Sequence, residues 1–105
     1  MKKEDVKNFF TDAQPYRDIL SLLSPGEQNA KPCVYLCSVL NMEDRIVRKH
    51  IETMRRNGVC VLSSSRGYFT PKDRQEVQRW KNHTLGVAGK YLSIIHCADE
   101  YLREE

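Results

Sequence analysis

Residues 35–69 read YLCSVLNMEDRIVRKHIETMRRNGVCVLSSSRGYF, and this stretch decides the fold. Leu36, Leu40, Val47, Ile51 and Met54 recur at helical spacing, so one apolar face runs through two successive segments. Asn41 separates them. Asparagine tolerates the left-handed backbone better than most residues, so a helix over about Cys33–Leu40 is expected to end there. Met42 returns to the core, and Glu43 or Asp44 starts a third helix. Asn57-Gly58 is its stop signal. Val59 to Ser63 then alternates and is rich in strand formers, Ser64 to Gly67 is a polar turn, and Tyr68 to Thr70 is a returning strand. The order is helix, tight turn, basic helix and β-hairpin.

Working outward, residues 1–14 form an N-terminal arm or short helix with Val6, Phe9 and Phe10 as its apolar points. Pro15 opens a helix over Tyr16–Ser24, with Ile19, Leu20, Leu22 and Leu23 as core candidates, which Pro25-Gly26 stops. Glu27 to Pro32 is a polar loop. Beyond the hairpin, Thr70-Pro71-Lys72-Asp73 reads as a helix start, with threonine as cap and proline in the first turn. The helix after it reaches about Arg103. Val77, Trp80, Thr84, Val87, Tyr91, Ile94, Ala98 and Tyr101 step by three and four, which is a heptad seam. Leu85, Ala88, Leu92, Ile95 and Leu102 form a second stripe beside it. A helix with so broad an apolar face has two surfaces to bury, one against its own domain and one against a partner. A homodimer through Trp80, Val87, Tyr91, Ile94 and Tyr101 is the expectation. Gly86 and Gly89 weaken the middle by about 1 kcal/mol each relative to alanine. The expected organisation is an arm (1–14), a central domain (15–70) and a C-terminal dimerisation helix (71–105).

A chain of 105 residues is one small domain with an appendage. Its net charge of +3 is modest, but the charge is uneven. From Arg45 to Arg66 there are six Lys/Arg against one acid, whereas Pro71 to Glu105 holds six of each sign. The positive field is local to the middle of the chain. No membrane-length apolar run or signal-peptide core is visible, so a cytoplasmic protein without membrane contact is expected. Cys33, Cys37, Cys60 and Cys97 suit that compartment as small apolar side chains, not as a disulfide framework.

A positive helix after a tight turn, followed by a small ribbon with Arg66 at its tip, has the shape of a grip on double-stranded DNA. Val47 and Ile51 face inward, and Arg45, Arg48, Lys49 and Glu52 face outward with Arg55 following. Arg45 and Arg48 are placed to reach guanine edges in a major groove, and Lys49 to reach a phosphate. Arg66 suits a minor groove or a phosphate, and Ser63, Ser64 and Ser65 can donate to phosphate oxygens. Acids at Glu43 and Asp44 suit the helix dipole but oppose phosphates.

Over residues 15–70 the chain resembles the winged helix-turn-helix family, and most the small winged-helix proteins of bacteriophages and prophages of Gram-positive bacteria. The resemblance rests on Asp44, Arg45, Val47, Arg48, Ile51, Met54, Arg55, Arg56, Gly58, Gly67, Tyr68 and Phe69. It implies a mainly α fold with a β-hairpin wing. It also implies sequence-specific duplex binding through a recognition helix (about 44–57), with the wing (about 59–70) on the flanking backbone. A role in transcriptional control or replication initiation follows from the same likeness. Asn41 stands where a turn glycine is usual, and Glu43 where a serine or threonine cap is commoner.

Other chemistries are not expected. G-x-S-x-G, P-loop and H-E-x-x-H patterns are missing, so no catalytic residues, cofactor or small-molecule substrate are assigned. Cys33 and Cys37 sit one helical turn apart with His96-Cys97 far downstream, which is not the paired spacing of a structural zinc site, so no metal is assigned. The rival function is a winged-helix protein-interaction module that does not bind DNA, with the two-striped last helix as its working surface.

Overall fold

A computed structural model describes residues 3–104 of the chain, with side chains described from 8 to 103. The protein is mainly helical, with one two-stranded antiparallel hairpin and a long C-terminal helix. Its elements in order are α1 (Lys3–Asp12), α2 (Tyr16–Ser21), a 3-10 turn (Glu27–Asn29), α3 (Cys33–Leu40), α4 (Asp44–Arg56), β1 (Leu62–Ser64), β2 (Gly67–Phe69) and α5 (Arg74–Glu104). Two compact units separate at Asp73–Arg74.

The first unit is organised around α4. Its Val47, Ile51 and Met54 are at most 1% exposed, and burying each contributes about 1.5–3 kcal/mol. Ile19 and Leu23, Leu36 of α3, and Val59 and Val61 after α4 complete the cluster. Phe10 packs edge-on against Tyr16 (centroids 4.9 Å), and Tyr16 against His50 (5.5 Å), so His50 is a packed histidine. Phe9 is 57% exposed, so only one ring of the aromatic pair docks. The Val6 side chain lies outside the described residues.

The turn between α3 and α4 forms as the sequence dictates. Asn41 adopts the left-handed conformation (φ 54°), and Met42 N–H donates to the Cys37 carbonyl, closing the end of α3. Glu43 occupies the N-cap of α4 without a side-chain cap bond, and Gly58 supplies a positive φ just after its end.

Four boundaries differ from the sequence reading, the smallest being the second strand, which is Gly67–Phe69 and not Tyr68–Thr70. The second helix stops at Ser21, three residues short of the expected end. The first strand begins at Leu62, not Val59, because Val59 N–H is taken by the Met54 carbonyl at the end of α4 and Val61 N–H by Val59. Cys60, expected inside that strand as a core residue, is exposed before it. The last helix starts at Arg74 instead of Pro71. Thr70 is not its cap: its N–H donates to the Ser24 carbonyl and its own carbonyl accepts from Gly26 N–H.

The hairpin pairs Leu62 with Phe69, Ser63 with Tyr68 and Ser64 with Gly67. On the far side of β2, Lys31 and Tyr68 exchange both backbone hydrogen bonds at 2.8 Å. Gly67 (φ 127°) lies so close to this edge that a Cβ there would sit 2.2 Å from the Lys31 carbonyl oxygen. Glycine is therefore required for the hairpin to seat.

The second unit is α5, 31 residues and unbroken through Gly86 and Gly89. At 1.5 Å per residue it is about 46 Å long. Glu76 is buried and Val77 and Trp80 are half-buried, whereas every residue from Lys81 to Arg103 is exposed. Among the described residues no helix is long and apolar enough to cross a membrane.

Candidate nucleic-acid interface

The core-facing stripe of α4 fixes what its opposite face presents. With Val47, Ile51 and Met54 inward, helical geometry turns Arg45, Arg48, Lys49 and Glu52 outward, and all four are exposed. The acids noted in the sequence act directly on this face. Arg48 Nε donates to Asp44 Oδ2 at 2.7 Å, one turn back. Arg45 lies 3.9 Å from Glu43, with both side chains about four-fifths exposed. Glu52 pairs with Arg56. Exposed pairs of this kind are weak, so a phosphate can displace either acid. The hydrogen bond to Asp44 also pushes the Arg48 pKa up, so its charge is constant across any working pH. Lys49 and Arg66 form no ion pair among the described residues.

Arg55 behaves differently from its neighbours on α4. Its Nε donates to the Val61 carbonyl at 2.7 Å and a terminal nitrogen donates to Ser63 Oγ at 3.0 Å. The Tyr68 ring lies 5.8 Å from the guanidinium carbon. Burial pushes the Arg55 pKa down, the sign of a cation partly withdrawn from water. This residue clamps the hairpin to the end of α4, a placement the sequence reading did not anticipate.

The hairpin tip faces the same region. Ser64 Oγ accepts from the Arg66 backbone N–H at 3.1 Å, which sets the tip conformation, and Ser65 and Arg66 are exposed. Arg48, Ser63, Ser64, Ser65 and Arg66 line one cleft of about 350 Å³, together with Pro32, Cys33, Gly67 and Tyr68. Two guanidinium groups and three hydroxyls from two elements thus converge on a single concave surface. Hydroxyl and guanidinium donors around a pocket suit an anion with several acceptor oxygens. Of the sequence-assigned residues, the cleft gathers Arg48, Ser63, Ser64, Ser65 and Arg66. It does not include Arg45, Lys49 or Glu52, which lie along α4 outside it. Pro32 and Cys33 enter the site without having been assigned to it, and they arrive by tertiary packing alone.

On α5, Val87, Tyr91, Ile94 and Tyr101 are 39%, 65%, 64% and 64% exposed. Leu85, Leu92, Ile95 and Leu102 of the second stripe are at least half exposed. Single exposed apolar residues are ordinary; here they form two stripes along one helix. No protein-family model matches the chain, and no curated protein or solved structure matches it.

Proposed function

We propose that the protein is a winged helix-turn-helix reader of duplex DNA, with α4 as the recognition helix and the β1–β2 hairpin as the wing, acting in gene control or replication initiation. The observation that carries this reading is the cleft in which Arg48 of α4 and Ser63–Arg66 of the wing converge. A phosphate held there would fix the register of α4 on the duplex, and Arg45 and Lys49 would extend the contact along the helix. The exposed seam of α5 fits a second copy of the chain, because a 3-4 repeat brings identical helices together along their length. Two readers would then meet paired half-sites.

The test is a mobility shift over a salt series with sites selected from a random DNA pool. Arg45, Arg48, Lys49 and Arg66 together predict a slope of log K against log salt of about −3 to −4 per chain. Replacing Arg45 and Arg48 with alanine together should abolish site preference. Replacing Arg66 alone should weaken all sequences alike and flatten the slope by about 1. The acids on Arg45 and Arg48 favour a second reading, a protein-interaction module that works through α5. Absence of salt-sensitive DNA binding, with self-association intact, would select it.

A further inference from the structure

We propose that Cys33, Cys37 and Asp44 form a binding site for a thiophilic divalent cation of the zinc class. Cys33 begins α3, Cys37 follows one turn later, and Asp44 begins α4 across the Asn41 turn. One ligating atom from each lies within 4.8 Å of the other two. The two sulfurs are 3.9 Å apart. Sulfurs bound tetrahedrally at about 2.3 Å from one zinc ion stand about 3.8 Å from each other, so the pair is already at ligand spacing. Asp44 offers a carboxylate oxygen near both sulfurs as the third ligand. Cys33 also borders the cleft, so a water can take the fourth position. The site is therefore of the open kind, with three protein ligands.

Charge supports the assignment. Binding removes both thiol protons to solvent, leaving two thiolates and one carboxylate around a 2+ ion, a net charge of −1. Arg48, bonded to Asp44 Oδ2, neutralises that charge and leaves the other carboxylate oxygen for the ion. A guanidinium–carboxylate–metal relay of this sort orients the ligand from outside. Because both thiols give up their protons to the ion, binding strengthens as pH rises. Sequence spacing hid this site because the third ligand comes from across the turn and not from a second Cys/His pair.

The experiment titrates the reduced full chain with Co2+ alone and follows its absorption spectrum. One equivalent per chain should produce a thiolate-to-cobalt charge-transfer band and the strong visible bands of tetrahedral cobalt, both bleached by added Zn2+. Cys33→Ser and Cys37→Ser should each remove the charge-transfer band, and the Cys60→Ser, Cys97→Ser double variant should keep it. Asp44→Asn changes an exposed side chain, so it tests the site independently of folding; it should retain the band but weaken binding about tenfold or more. A parent chain without the band at stoichiometric cobalt, a band that survives both single-cysteine variants, or unchanged affinity in Asp44→Asn would overturn the proposal.

Discussion

Replacing Arg55 with alanine separates a structural arginine from a DNA-reading one. The side chain supplies two hydrogen bonds to the hairpin and its approach, at 2.7 and 3.0 Å, and the first ends on the carbonyl of Val61, a residue 0% exposed. Bonds from a charged donor are worth about 1.5–3 kcal/mol each, and a buried carbonyl left without a partner costs about 1–3 kcal/mol. Desolvation of the guanidinium offsets part of this, as its lowered pKa indicates. A net loss of about 2–3 kcal/mol follows, which in a domain of this size lowers the melting temperature by about 10 °C or more. Lysine keeps the charge but not the fork, and should recover less than half of the loss. The assay is thermal unfolding by circular dichroism, paired with DNA binding well below the melting temperature. Alanine at position 55 should melt early yet retain the parent's salt slope. A variant that melts like the parent but loses DNA binding would refute the clamp and return Arg55 to the reading face.

Two further substitutions test the remaining elements. Gly67→Ala pushes a Cβ into the Lys31 carbonyl at a positive φ, so it should detach the wing; hydrogen exchange should show lost protection at the Lys31 and Tyr68 amides, and unchanged protection would mean the strand edge is not packed as described. Tyr91→Glu places a charge in the centre of the exposed α5 seam, and light scattering should show the mass falling from twice 12.3 kDa to 12.3 kDa; an unchanged mass would remove α5 as the dimer contact.

What the sequence made legible was set by local rules. Val47, Ile51 and Met54 declare their face by periodicity alone, and Asn41 and Gly58 declare the ends of their helices because few other residues tolerate those backbones. What it hid was set by partners distant along the chain. Thr70-Pro71 has every local feature of a helix start, yet the Thr70 backbone is taken up by Ser24 and Gly26, so the helix waits until Arg74. Arg55 is outward by helical spacing, but the hairpin folds back over it. Ser63, Arg48 and Arg66 share a cleft only because the Arg55 clamp and the Lys31 edge hold the wing beside α4.

The basic residues of α4 and the wing are consequently not a uniform field. Arg55 belongs to the fold, and Arg56 is occupied by Glu52 near the end of the helix. Arg45 and Arg48 are restrained by exposed acids, and Lys49 and Arg66 by none among the described residues. For the DNA contact proposed above, a polyanion would compete easily for exposed pairs and poorly for a half-buried clamp, so a count of charges overstates the cations on offer. Arg48 is the residue on which these demands meet. Asp44 holds it, the hairpin brings Arg66 to the same cleft, and the two thiols lie within 4.8 Å of that carboxylate. On both proposals, the first turn of α4, and not its charge-rich end, is where binding of an anion and binding of a cation would influence one another.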